Sequence, residues 1–167
     1  MIRALPVAVI ALACAALATA QTKVGVINSQ KAVLDTAEIK KAQAELEAKF
    51  KPRQDQMLKL QKDLQDIQAQ LQSGKLNQNA EQDLTIQGQR KQREMQRMQD
   101  DLQADVDRDR NEILQRTGQR MQDVVKKLAE EKGLDVVVDA ANTVFFKPGL
   151  DLTAESTAAY DKAYPVK

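Results

Sequence analysis

From Ser29 to Lys132 the apolar residues are sparse and regularly placed. Ile39, Leu46, Phe50, Met57, Leu60, Leu64, Ile67 and Leu71 follow one another in steps of three, four or seven. That is the narrow seam of a heptad helix rather than the broad stripe of a helix laid on a core. The seam stops at Ser73-Gly74, where a glycine suits a helix end, and Asn79 with Gln82 has the form of a capping box opening a second helix. The second helix carries Leu84, Met95, Met98, Leu102, Val106, Ile113, Met121, Val124 and Leu128. The flanks have another period. "KVGVIN" from Lys23, "LDVVVDAA" from Leu134 and "TVFF" from Thr143 read as three short strands, the last two joined by a turn at Asn142. "DLTAESTAAYDKAY" reads as a closing helix with Thr153 at its cap.

Two long helices joined by a short turn fold back on each other, and a turn near Leu76 gives facing residues numbers that sum to about 152. Met57 then faces Met95, Phe50 faces Leu102, Leu46 faces Val106, Ile39 faces Ile113, and Gly88 faces Leu64. This register also explains the acidic run "MQDDLQADVDRDRNE" at 98–112. Residues 99–112 have a net charge of −4 and residues 40–53 a net charge of +3, so each limb supplies the ions the other needs. Exposed pairs contribute only ~0.2–1 kcal/mol each and select register more than they stabilise. The first arm, Ser29 to Gln72, spans about 65 Å and the return helix about 80 Å at 1.5 Å per residue. Pro52 in the first helix and Gly88 in the second are soft points, and Leu58 and Ile86 fall off the seam. A bent arm with spare apolar side chains suits a surface that grips variable partners. The strands and closing helix bury little and leave open edges, so the base is expected to join copies of itself.

Composition narrows the function. Residues 1–20 combine Arg3, the apolar run "ALPVAVIALACAAL" and Ala18-Thr19-Ala20, the form of a secretory signal peptide. Cys14 lies inside that run, and lipidation there is the minor alternative to a soluble exported protein. The chain has 25 Lys and Arg against 24 Asp and Glu, so loss of Arg3 leaves it formally neutral, with no general attraction to nucleic acid. Aromatic residues make up 3%, too few for a base-stacking platform. Histidine is absent and the sole cysteine is Cys14. The usual metal ligands and nucleophile–base pairs are therefore missing, and neither an enzyme nor a cofactor is expected. No phosphate-binding glycine loop occurs.

"KVGVIN", the hairpin with "ELEAKFKPRQDQMLKLQKDLQ", "LDVVVDAANTVFF" and "DLT" together resemble the Skp/OmpH family of periplasmic chaperones. The resemblance implies an α+β, mostly α fold: a long antiparallel coiled-coil hairpin, or tentacle, on a small β-sheet base that assembles into a trimeric β-barrel body. It also implies an ATP-independent periplasmic holdase that binds unfolded outer-membrane β-barrel proteins between its arms. The expected layout is a signal peptide at 1–20, a discontinuous trimerisation body at 21–28 and 133–167, and the arm at 29–132. Leu58, Ile67, Leu76, Leu84, Ile86, Met95 and Met98 are the candidate client contacts; seam packing alone also accounts for Ile67, Leu84, Met95 and Met98. Arg90, Lys91, Arg93 and Arg97 are candidate electrostatic contacts to acidic clients or, transiently, to a membrane surface, and a solvated helix face explains them equally well. Val24, Val26, Val136, Val138, Val144 and Phe146 are the expected trimerisation residues. The rival reading is a structural coiled-coil adaptor or spacer of the cell envelope.

Overall fold

The computed structural model describes residues 21–166, so the signal-peptide reading of 1–20 lies outside the described residues. Strand β1 (Val24–Ile27) opens the fold, followed by helix α1 (Ser29–Leu34), helix α2 (Ala37–Gln72), helix α3 (Gln78–Lys132), strand β2 (Val136–Asp139) and helix α4 (Thr153–Ala163). Short 3-10 turns at Ala140–Asn142 and Pro148–Leu150 link β2 to α4. The fold is mostly helical, with a small open sheet of two strands.

β1 and β2 are parallel, with Val24 opposite Val136 and Val26 opposite Val138. Parallel strands require a crossover connection, and here the whole hairpin is that crossover. Gly25 permits the close packing: a Cβ there would lie 2.6 Å from Leu152 Cδ1 and 2.9 Å from Leu134 Cδ1. The third expected strand is not formed. Residues 143–147 have no regular pairing, and Val144 and Phe145 are 106% and 81% exposed. The second neighbour of β1 is instead Asp151, through a single parallel bridge to Val26. Four β-branched or aromatic residues carry strand propensity, but propensity needs a partner edge within the chain to become a ladder.

Three helix boundaries also differ from the sequence reading. The first helix is not continuous from Ser29, because α1 ends at Leu34 and a new helix starts after Thr36, whose Oγ1 accepts from Ile39 N. α3 is capped by Asn77, whose side chain accepts from Ala80 N at 2.9 Å, rather than by Asn79. At α4 the cap position is Leu152, which makes no side-chain bond; Asp151, just before it, accepts from Thr153 N at 2.8 Å, while Thr153 Oγ1 accepts from Asn28 N and ties the helix to the end of β1. Gly74 ends the first limb with φ +65, and Gly133 ends the second with φ +61, both as expected for glycine after a helix. Pro52 lies within α2 without interrupting it.

The central core is small. Ile27, Ala32, Met121, Val124 and Tyr160 are mutually packed, so β1, α1, α4 and the C-terminal part of α3 meet at one place. α2 and α3 leave this body together as an antiparallel pair of about 54 and 80 Å at 1.5 Å per residue.

The register of that pair is displaced from the expected one. Lys49 and Arg53 reach Asp109 and Asp105, Lys91 reaches Asp63, and a side chain on Gly88 would meet Ile67 rather than Leu64. Phe50 is thus level with positions 105–109, not with Leu102. The displacement is uneven: the numbers of Lys91 and Asp63 sum to 154 and those of Gly88 and Ile67 to 155, near the tip, while Lys49–Asp109 and Arg53–Asp105 each sum to 158 nearer the body.

Candidate functional site

At the root of the hairpin, α2, α3 and α4 are tied through one carboxylate. Glu38, in the first turn of α2, accepts hydrogen bonds from Arg116 Nε at 3.1 Å, from Arg120 at 3.1 Å and from the Tyr160 hydroxyl. Burial alone would raise the Glu38 carboxyl. The bonds from Tyr160 and Arg116 and the charges of both arginines outweigh it and hold the group below the usual carboxylate range. Burial, followed by the bond to Glu38, pushes the Tyr160 phenol up. Arg120 also lies 4.8 Å from the centre of the Tyr164 ring. The sequence reading missed this knot because its members lie far apart along the chain and none stands out alone.

Further out, burial becomes one-sided. In α2, Phe50, Leu60 and Ile67 are buried, whereas every buried side chain of α3 falls between Thr117 and Leu128. A two-helix seam has no third layer, so α3 presents Leu84, Met95, Met98 and Leu102 half-buried. Off the seam, Leu58 is 64% exposed and Ile86 40%. Leu76, in the turn, is half-buried. The candidate apolar residues therefore divide into exposed (Leu58, Ile86), half-buried (Leu76, Leu84, Met95, Met98) and buried (Ile67).

The charged candidates divide as well. Lys91 is engaged within the hairpin, 2.6 Å from Asp63. Its bond holds the Asp63 carboxyl down despite the opposing effect of burial. Arg90, Arg93 and Arg97 are exposed, and Arg90 and Arg97 line an open groove of about 700 Å³ with Arg53, Gln56, Met98 and Asp101. The acidic run is answered on both sides: Asp105 and Asp109 pair across the hairpin with Arg53 and Lys49, while Asp100 and Asp107 accept from Gln96 and Gln103 of their own helix, each at 2.9 Å.

At the base, the residues expected at a subunit interface also separate. Val26 is buried within its own chain; Val24, Val138 and Phe146 are half-buried; Val136 and Val144 are exposed. Phe145, which the sequence reading did not single out, is more exposed than Phe146. Beside them an apolar groove of about 530 Å³ runs over Ile27, Val33, Met121, Val125 and Val137. Among the described residues no cluster of side chains is suited to a metal ion, and no helix is long and apolar enough to cross a membrane.

A family model described as "Outer membrane protein (OmpH-like)" matches residues 23–159. Seven solved chains match the structure. One is the crystal structure of a candidate outer membrane chaperone (OmpH-like) from Caulobacter crescentus, with a TM-score of 0.74 and 19% identity over 89% of each chain. At that identity the likeness concerns the fold. No curated protein matched the chain.

Proposed function

The chain belongs to the OmpH-like family, and on that basis we propose that it is an ATP-independent periplasmic holdase for unfolded outer-membrane β-barrel proteins. The single observation that carries the reading is the one-sided burial of the outer arm, which leaves Leu58 and Ile86 uncovered on a rod that projects from a compact body. A fully buried leucine or isoleucine side chain is worth about 1.5–3 kcal/mol. A client segment lying along the arm would recover part of that at each contact and could leave again. Leu76, Leu84, Met95 and Met98 would add partial contacts, and Arg90, Arg93 and Arg97 would attract acidic client stretches or touch a membrane surface transiently. Ile67 is withdrawn into the seam, and Lys91 reaches a client only by giving up Asp63.

The body at 21–28 and 133–167 is proposed to hold three copies together, with the arm at 29–132 free to surround a client. Val136, Val144 and Phe145 are apolar and exposed, and the two-stranded sheet leaves an open edge, both of which favour self-association. Tethering three arms raises their effective concentration, so weak contacts sum to useful affinity. The residues beyond the signal at 1–20 would act in the periplasm.

The test uses the purified chain from Gln21 onward and a urea-unfolded outer-membrane barrel protein diluted into buffer. Light scattering should be suppressed at about one trimer per client, equally with and without ATP. Unchanged scattering across a tenfold excess overturns the holdase reading.

A further inference from the structure

We propose that the hairpin has a local opening point at Pro52, held shut by two ion pairs that stand where the seam should be apolar. Pro52 has no N–H, so the Ala48 carbonyl loses its helical donor, and the ring presses on that carbonyl. α2 nevertheless continues unbroken from Ala37 to Gln72.

The seam explains what is special about this stretch. Leu46, Phe50, position 53, Met57, Leu60, Leu64 and Ile67 keep alternating steps of four and three, and position 53 is Arg. On α3, Val106, position 109 and Ile113 keep the same steps, and position 109 is Asp. Lys49 pairs with Asp109 on the body side of the proline, and Arg53 with Asp105 on the outer side. The acid ends are partly withdrawn from water, at 16% and 24% side-chain exposure, while the cations lie outside them. Arg108 flanks both acids, 2.7 Å from Asp105 and 3.6 Å from Asp109, and Lys51 spans the proline along α2 to Asp55 at 3.5 Å.

Apolar cover is thin here. Phe50 is buried just before the proline and Leu60 is the next buried residue of α2. Between them Met57 is half-buried, and Arg53 and Gln56 face the 700 Å³ groove. Separation of the limbs between Phe50 and Leu60, with both of those side chains left in the seam, thus sacrifices ion pairs more than hydrophobic contact. Ionic strength therefore acts on the opening: the screening length falls from ~10 Å at 0.1 M salt to ~3 Å at 1 M. This inference concerns the arm alone and does not rest on the holdase reading.

The test is amide hydrogen exchange on the chain from Gln21 onward, with helicity followed by circular dichroism. In Asp105→Asn/Asp109→Asn, peptides covering 50–57 should exchange about three- to tenfold faster, with 60–67 and 121–128 unchanged. Lys49→Gln/Arg53→Gln should reproduce the effect from the other limb. In the wild type, 1 M NaCl should move the same peptides in the same direction, and the Asn variant should be indifferent to salt. Adding Pro52→Ala to the Asn variant should return the rates to near wild type. Unchanged exchange at 50–57, or a rise spread evenly along the arm, overturns the proposal. So does acceleration that persists undiminished once Pro52→Ala has been added.

Discussion

The root and the outer part of the hairpin are built from the same heptad grammar, yet they bury their residues differently. At the root, Ile39 and Ala42 of α2 and Met121, Val124 and Leu128 of α3 are all buried, because α1, α4 and the sheet cover the helix pair from outside. Beyond about Thr117 that cover ends. Leu60 and Ile67 are still buried from the α2 side, but α3 buries nothing fully. A seam position predicts which way a side chain faces. How far it is removed from water depends on whether a further layer lies over the pair. The root is consequently the stable end and the outer arm the one with apolar surface to offer.

The strongest challenge to this contrast is Tyr160→Ala. Tyr160 is fully buried among Ile27, Ala32 and Met121 and also donates to Glu38. Its loss should destabilise the protein by about 3–5 kcal/mol in urea unfolding, as for other buried aromatic truncations. A change below about 1 kcal/mol would mean that the root is no better packed than the arm.

Gly25→Ala should cost less, about 1–3 kcal/mol, because the new methyl group meets the flexible ends of Leu152 and Leu134. Its effect should appear in the body, as reduced exchange protection of β1 and β2, with peptides from the outer arm unmoved.

Acid should loosen the root in a predictable direction. The Glu38 carboxyl is held below its ordinary value in the folded protein, so its contribution is complete above the ordinary glutamate pKa of about 4.3 and is lost as pH falls through the folded value. Midpoints of urea unfolding should therefore change little between neutral pH and about 5 and drop below about 4. Glu38→Gln should lower the midpoint at neutral pH and flatten that acid slope. An identical slope in both proteins would remove Glu38 from the account.

The smallest effect on stability is expected for Leu58→Ser/Ile86→Ser, within about 0.5 kcal/mol, since both side chains are exposed. The same pair should reduce suppression of client aggregation, and equal suppression by wild type and variant would locate the contacts elsewhere.

The helical hairpin was legible from spacing and punctuation. Gly74 marked the end of one limb, and the opposed charges of 40–53 and 98–112 foretold an antiparallel partner, realised as Lys49–Asp109 and Arg53–Asp105. Of the candidate contacts, Leu58 and Ile86 were recognisable as off-seam. Met95, Met98 and Leu84 were ambiguous by nature, because a seam residue on a two-helix arm is neither core nor surface. "TVFF" has strand composition, but the edge it needs is not offered by its own chain.

Residue order alone dictates what is local and periodic: where helices run, which face of each is apolar, and that the limbs are antiparallel and complementary in charge. These follow from 3.6-residue geometry and nearest-neighbour chemistry, which the order of residues states directly. The register, the break after α1, and the gathering of Glu38, Arg116, Arg120 and Tyr160 at one point emerge only in the folded chain. Each depends on distances across the chain, where the two limbs settle against each other side chain by side chain and residues more than a hundred positions apart become partners.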